Sequence, residues 1–268
     1  MLRKIATARD GTRLSYELHK GAGRGRCVLV HSLAMDASFW HRVLPYVQDF
    51  ADVLLYDCRG HGRSDKPDGF HPVERHADDL CDLLDAVGWN KAVVAGASMG
   101  GCIALAFAAH YPQRVAGLGL FDTTAWYGAD APKQWEERGQ KGVTEGMAAL
   151  VPFQKSRWVT ERFLAEHPDV IEQAVAVFLA NDPQAYLQTC RMLGAADMRK
   201  LPQFDFDTRI VVGIEDYATP VAMAEAMRDL IPGATLTVFD NARHLTPLEC
   251  PDRIGDELKL LLQGAKAN

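Results

Sequence analysis

A serine between two glycines is the residue of this chain best suited to nucleophilic chemistry. Ser98 is the centre of the sequence Gly-Ala-Ser-Met-Gly at residues 96–100, between an apolar run at 92–95 and a helix-forming segment at 103–107. This order predicts a tight strand-turn-helix, in which a strained serine lifts its hydroxyl out of the turn. The pattern also occurs in ordinary glycine-rich turns, but the flanking strand and helix favour a nucleophile.

A serine hydroxyl needs a base to accept its proton, and that base needs an acid to fix its tautomer and stabilise its charge. His244 lies in a loop after a predicted strand and is the candidate base. Asp216 follows another predicted strand and is the candidate acid, with Glu215 and Asp122 as alternatives for that role. Because each of these loops follows a strand, Ser98 and its two partners can converge at one edge of a parallel sheet.

The elements that would position these residues alternate between strand and helix. Short apolar runs, typical of strands buried on both faces, lie at residues 27–30, 53–56, 92–95, 115–121, 209–214 and 235–239. An Asp-Gly pair at residues 10–11 predicts an antiparallel hairpin at the sheet edge. Helical spacing of apolar residues is found at 37–47, 73–87, 221–230 and 253–262. We therefore expect an α/β fold, with a mostly parallel sheet and helices on both faces.

The region from residue 125 to residue 200 has helical spacing, several prolines and no signal for a central strand. Sheet signals resume only at residue 209. This helical region interrupts the alternation of strands and helices, which predicts a helical cap over the carboxyl edge of the sheet. We expect the first part of the core at residues 1–124, the cap at 125–200 and the second part of the core at 201–268.

The composition of the 268 residues is ordinary for a globular protein, with 48% hydrophobic and 24% charged residues. A net charge of −6 does not favour nucleic acid or anionic membranes, and we expect neither as a partner. The partner expected for the candidate nucleophile is a small-molecule substrate, and the oligomeric state stays open. The first five residues include two basic ones but no apolar segment follows, and we expect a cytoplasmic protein. The cysteines lack metal-ligand spacing and are expected to be reduced core thiols; they are Cys27, Cys58, Cys81, Cys102, Cys190 and Cys250.

Backbone amides are the expected donors to the oxyanion of a tetrahedral intermediate. In this architecture one amide follows the nucleophile and the other lies in the loop after the third strand, which here are Met99 and Leu33. His31 also ends a predicted strand, and we expect it to hold the neighbouring loop rather than to transfer protons. The sequence has no glycine-rich phosphate loop and no metal-ligand or cofactor motif, so we expect neither a metal nor another cofactor.

The chain resembles the α/β-hydrolase superfamily over nearly its whole length, and within it the 3-oxoadipate enol-lactonases. The order nucleophile, acid, base is the order of that superfamily. Further matches are Ser-Leu at residues 32–33, Asp36, Trp40, Tyr-Asp-x-Arg-Gly-His-Gly-x-Ser at 56–64 and Ser-Met-Gly-Gly at 98–101. Matches in the cap are Trp135, Arg138, Arg157, Trp158 and Ala-Ala-Asp at 195–197. Two departures are Ala34, where these lactonases usually have glycine, and the segment that begins at Asp122, which typically begins with asparagine.

The resemblance implies a substrate pocket formed by Trp135, Arg138, Arg157 and Trp158. Trp135 and Arg138 are three residues apart, so on a helix they share a face and could present an aromatic wall and a cation to a substrate carboxylate. Arg157 and Arg191 are further candidates for that cation. The alternative is that Arg138 pairs on the surface with one of the two glutamates that precede it, at positions 136 and 137.

The activity implied by the resemblance is that of a cofactor-independent carboxylic ester hydrolase. Its substrate would be a small lactone or ester similar to 3-oxoadipate enol-lactone, opened through an acyl-enzyme. One alternative is a hydrolase of C–C bonds in ring-cleavage products, or a perhydrolase, on the same three residues. Another is a ligand receptor with slow turnover, because function depends on the site and not on the fold.

Overall fold

A computed structural model describes residues 3–265. Residues 1–2 and 266–268 lie outside this range. The first two therefore leave the start of the basic N-terminal segment undescribed. The described residues form eight strands: β1 Lys4–Thr7, β2 Arg13–His19, β3 Gly25–Val30, β4 Ala51–Tyr56, β5 Ala92–Ala97, β6 Val115–Phe121, β7 Thr208–Gly213 and β8 Thr235–Phe239.

All eight strands belong to one sheet in the order β1-β2-β4-β3-β5-β6-β7-β8. β1 and β2 pair antiparallel, as do β2 and β4, and every other pair is parallel. Gly11, with φ 90°, turns the chain between the first two strands, which confirms the hairpin predicted at residues 10–11. All six residues of the central strand β5 are buried, as expected of a strand covered on both faces.

Eleven α-helices accompany the strands in the described residues. They are α1 Leu44–Val47, α2 Val73–Ala86, α3 Met99–His110, α4 Ala131–Glu145, α5 Val151–Trp158, α6 Glu161–Glu166, α7 Pro168–Leu179, α8 Pro183–Ala195, α9 Val221–Leu230, α10 Thr246–Glu249 and α11 Pro251–Gly264. Helix α2 buries the apolar face predicted for it, which includes Ala77, Leu80 and Leu84. No helix among residues 3–265 is both long and apolar enough to cross a membrane.

One predicted helix is wrong. Residues 37–47 form a short 3-10 helix at Ala37–Trp40, a turn and then α1, not one continuous helix. Backbone bonds across this segment span three residues, as in the bond from the Val43 amide to the Trp40 carbonyl. Pro45 has no amide hydrogen and cannot continue an α-helix from the preceding turn. It lies in the first turn of α1 instead, where a helix tolerates proline.

The five helices α4 to α8 lie between β6 and β7 in the chain. The chain leaves and re-enters the sheet region at one place, where Trp126 and Asp197 form an isolated antiparallel bridge and the Met198 amide donates to the Ala125 carbonyl at 2.9 Å. Helices α4 and α8 pack closely, since a Cβ on Gly139 would lie 2.6 Å from a methyl of Leu187. Of the five helices, α4 and α5 contribute the side chains that line the cavity containing Ser98.

Candidate active site

The turn between β5 and α3 holds Ser98 in an unusual backbone conformation, with φ 54° and ψ −116°. Glycines flank it because the backbone approaches itself there. A Cβ on Gly96 would lie 2.0 Å from the carbonyl oxygen of Gly100, and a Cβ on Gly100 would lie 2.1 Å from the carbonyl oxygen of Val30. The turn is thus pressed against the end of β3, and the strain at Ser98 is maintained by this packing.

The Ser98 hydroxyl is one end of a line of three hydrogen-bonded side chains. Ser98 Oγ lies 2.9 Å from His244 Nε2, and His244 Nδ1 lies 2.8 Å from Asp216 Oδ2. All three residues are buried, with the serine and histidine still reaching the cavity. The structure therefore brings together the nucleophile, base and acid predicted from the sequence.

The Asp216 carboxylate is held by several donors besides the imidazole. Its Oδ1 accepts from the backbone amides of Ala218 and Thr219, and its Oδ2 accepts from the Thr219 hydroxyl at 2.7 Å. Burial alone would raise the pKa of Asp216, but the charge and hydrogen bond of His244 and the bonds from Thr219 lower it overall. Asp216 therefore stays ionised and fixes the orientation of the His244 ring.

The two alternative acids have other partners. Asp122 is fully buried and accepts from the amide and hydroxyl of Thr246, at 2.9 and 2.7 Å, and from the amide of Gly213 at 3.3 Å. Burial and the nearby Asp216 carboxylate raise its pKa well above the ordinary value. Glu215 pairs with Arg243 at 2.9 Å. Within residues 3–265, neither Asp122 nor Glu215 has a hydrogen bond to His244.

The amides of Leu33 and Met99 have no hydrogen-bond acceptor among residues 3–265. Met99 begins α3, where backbone amides have no partner within the helix, and Leu33 lies in the loop after β3 and lines the cavity with Ser98. Ala34 continues this loop with φ 59°, a left-handed conformation that favours glycine. Asn181, between α7 and α8, donates from its side-chain Nδ2 to the Ala34 carbonyl at 2.8 Å and so ties this loop to the helical segment.

His31 holds the same loop from the other side. Its Nε2 accepts from the Cys58 amide at 2.9 Å, so the proton is on Nδ1, which donates to the Ser32 carbonyl at 2.8 Å. Burial lowers the pKa of His31 to about 4. His31 is therefore a neutral link between the loops that follow β3 and β4.

A cavity of about 610 Å³ opens above Ser98. The four cap residues predicted for substrate binding, Trp135, Arg138, Arg157 and Trp158, all line it. The Arg138 guanidinium lies 4.7 Å from the Trp135 ring, and its Nε donates to the Tyr186 hydroxyl at 3.0 Å. The proposed surface pairing of Arg138 with Glu136 or Glu137 does not occur, because Glu136 binds Arg191 at 2.7 Å and Glu137 lies 3.9 Å from Lys133.

The second arginine of the cavity is Arg157, which contacts a backbone carbonyl and an aromatic ring. Arg157 Nη1 donates to the Tyr217 carbonyl at 2.9 Å, and its guanidinium lies 4.5 Å from the Phe153 ring. Burial and the charge of Arg138 lower the pKa of Arg157. In the described part of the chain, neither arginine forms a salt bridge with an acidic side chain.

Three contacts of this pocket were not predicted from the sequence. They involve Tyr186, Tyr217 and Thr219, which orient Arg138, Arg157 and Asp216 respectively. The two tyrosines lie 48 and 60 residues from their arginines, so a local sequence pattern cannot predict these contacts. Thr219 is only three residues from Asp216, and the turn sequence around it could have indicated the contact.

The family model for the α/β-hydrolase fold matches residues 27–251. The chain belongs to the α/β-hydrolase fold family. The 3-oxoadipate enol-lactonase 2 of Acinetobacter baylyi is 28% identical over 258 residues, which cover 96% of this chain and 95% of that protein. These findings confirm the fold and the resemblance predicted from the sequence.

Solved structures of two other α/β-hydrolases agree with this assignment. The enol-lactonase from Burkholderia xenovorans LB400 superposes with a TM-score of 0.92 at 30% identity, covering 97% of this chain and 100% of that one. A thermophilic esterase from Thermogutta terrifontis, in a malate-bound structure, gives a TM-score of 0.90 at 28% identity over the whole of both chains. The chain is thus an enzyme of the hydrolase class.

Proposed function

We propose that this hydrolase opens small lactones or esters through an acyl-enzyme on Ser98. The observation that carries the proposal is the line of hydrogen bonds from Asp216 through His244 to Ser98 at the floor of the cavity. A serine positioned in this way against a buried histidine and carboxylate has the activated hydroxyl that acyl transfer requires.

In the first half-reaction, Ser98 Oγ attacks the substrate carbonyl while His244 Nε2 accepts the hydroxyl proton. The oxyanion that forms accepts hydrogen bonds from the amides of Leu33 and Met99, whose donors are free among residues 3–265. Asp216 stabilises the imidazolium through the bond to Nδ1. His244 then gives its proton to the oxygen of the cleaved bond, and the acyl group stays on Ser98.

In the second half-reaction, His244 activates a water molecule that releases the acyl group from Ser98. With an enol-lactone, the oxygen freed in the first step is that of an enol, which tautomerises to a ketone. The ketone cannot close the lactone again by simple reversal, which favours the open product. The chemistry needs no group beyond the side chains and amides named above.

We further propose that the substrate carries a carboxylate, as 3-oxoadipate enol-lactone does. The support is the pair of cavity arginines, Arg138 and Arg157, whose guanidiniums face the pocket without an acidic partner in the described chain. Since the whole protein has a net charge of −6, it repels anions at long range and needs such local cations. The names of the relatives above, and the malate in the esterase structure, agree with an anionic substrate.

The proposal is tested with purified protein on a panel of carboxylated lactones, neutral lactones, short-chain esters and ring-cleavage diketones. We expect turnover of lactones or esters, and a loss of about 10⁶ in kcat for Ser98→Ala, because the three residues act as a unit. A fluorophosphonate probe should label wild-type protein and leave Ser98→Ala unlabelled. Exclusive cleavage of diketones or peroxide-dependent peracid formation would instead favour a C–C hydrolase or perhydrolase, and binding without turnover would favour a receptor.

A further inference from the structure

Three side chains with metal-ligating atoms meet away from the cavity of Ser98. Glu17 and His19 are two residues apart on β2 and so share a face of the strand, and His41 directly follows the 3-10 helix Ala37–Trp40. Glu17 Oε2 lies 2.9 Å from Nε2 of His19 and 2.9 Å from Nε2 of His41. The three possible ligand atoms lie within 4.8 Å of one another.

The charge around this cluster favours a cation. Glu17 Oε1 lies 3.1 Å from the Arg3 guanidinium, which also contacts Asp57 at 2.5 Å and Asp36 at 3.9 Å. One guanidinium therefore faces three carboxylates, two of which, Glu17 and Asp57, are buried. With neutral imidazoles the group has two negative charges in excess, which a divalent ion would balance.

We propose that Glu17, His19 and His41 bind a transition-metal ion of the Zn²⁺ class. Two imidazole nitrogens and one carboxylate oxygen are a ligand set of zinc sites that keep a fourth position open, whereas Mg²⁺ and Ca²⁺ prefer oxygen alone. In the structure each imidazole is hydrogen-bonded to Glu17 Oε2 at 2.9 Å. A tetrahedral ion about 2.1 Å from each ligand atom would hold these atoms about 3.4 Å apart, so the ion would replace the shared protons and move each imidazole outward by about half an ångström.

The surroundings of the three ligands match this role. The side chain of His41 is 47% exposed, so the fourth position faces solvent, whereas those of Glu17 and His19 are held in place by burial. Arg3 binds the second carboxylate oxygen and fixes the orientation of the first, as outer partners of metal ligands do. The bound ion would link β2 to the end of the 3-10 helix Ala37–Trp40. We therefore expect it to raise the free energy of unfolding.

The test is calorimetric titration of ZnCl₂ into protein that has been freed of metal with a chelator. We expect one Zn²⁺ per chain, and at least a tenfold weaker affinity for His41→Ala, since an outer-shell change alone costs about 10- to 100-fold. His71→Ala is the matched control, because His71 is a partly buried histidine whose ring contacts the Pro67 carbonyl. At the same Zn²⁺ concentration, the Tm of wild type and of His71→Ala should rise by the same amount, and that of His41→Ala should rise by clearly less.

Absorption spectroscopy with Co²⁺ reports the metal ligands directly and does not depend on a change in protein stability. Co²⁺ in place of Zn²⁺ should give the visible absorption of a nitrogen- and oxygen-bound ion, and Glu17→Gln should remove it. The proposal is overturned if wild type binds no Zn²⁺, or if His41→Ala and Glu17→Gln both bind one ion with the affinity of wild type. It is also overturned if the Co²⁺ spectrum shows a thiolate band, because the ligands would then be cysteines.

Discussion

At the scale of single residues, the acid of the proposed triad can be tested without disturbing the nucleophile. Asp216→Asn keeps the side-chain shape but no longer favours a proton on His244 Nδ1, so the ring adopts the wrong tautomer. We expect kcat to fall by about 10⁴ on the best substrate of the panel. The control is Asp122→Asn, whose side chain meets Thr246 and Gly213 instead. A larger loss for Asp122→Asn than for Asp216→Asn would show that the acid is assigned to the wrong residue.

Substrate charge is recognised at the same scale. Arg138→Ala should raise KM for a carboxylated lactone by one to two orders of magnitude, about the 1.5–3 kcal/mol of a charged hydrogen bond, and barely affect a neutral lactone. Arg191→Ala is the matched control, because Arg191 pairs with Glu136 and does not line the cavity. Equal effects of Arg138→Ala on both lactones would refute a carboxylate site. Steady-state kinetics of the two variants on both substrates decides the question.

At the scale of the elements, the turn between β5 and α3 tolerates no added side chain. Gly100→Ala would place a Cβ 2.1 Å from the Val30 carbonyl oxygen, and both partners are backbone that cannot move aside. We expect a loss of about 4 kcal/mol or more in the free energy of unfolding, measured by denaturant titration. Gly233→Ala meets open space at φ 83° and should cost only about 1–3 kcal/mol. A Gly100→Ala protein as stable as Gly233→Ala would contradict this packing.

The elements were largely predictable because their signals are local. Buried parallel strands such as β3 and β5 are continuous apolar runs, and the loops that follow strands end at one edge, which placed Ser98, Asp216 and His244 together. The prediction of one helix at residues 37–47 was wrong because the spacing of apolar residues takes no account of the amide hydrogen that Pro45 lacks. The roles of the three residues at the edge stay predictions until variants are measured.

Contacts between elements that are distant in the chain could not be predicted from the sequence. The orientation of Arg138 depends on how α4 packs on α8, and its partner Tyr186 is 48 residues away. His41 and Glu17 are 24 residues apart and meet only because β2 lies beside the segment after β3. Patterns of residue spacing carry no information about such tertiary packing.

At the scale of the whole molecule, three buried histidines couple stability to pH. His31, His61 and His76 are at most 3% exposed, and burial is the main cause that lowers their pKa, to about 4 for His31 and about 3 for His61. The unfolded chain has ordinary imidazoles with a pKa near 6.5, so below that pH it binds protons that the folded protein does not. The free energy of unfolding therefore falls as the pH falls from about 6.5 towards 4.

The expected slope is about 1.4 kcal/mol per pH unit for each of these histidines within that window. Urea titrations at about pH 7 and about pH 5 measure it. His61→Gln should reduce the slope, because glutamine does not titrate, and His71→Gln serves as a half-buried control. Equal stability at the two pH values would contradict the neutral burial of these rings.

The bridge between Trp126 and Asp197 brings together the two ends of the helical segment that lies between β6 and β7. Because the chain enters and leaves this segment through neighbouring backbone positions, a replacement of different length can begin and end at the same two points. The sheet, with the residues at its carboxyl edge, keeps its connectivity whatever lies between them. Laboratory chimeras can therefore be joined at these two positions, provided that the new segment keeps contacts such as that of Asn181 with the Ala34 carbonyl.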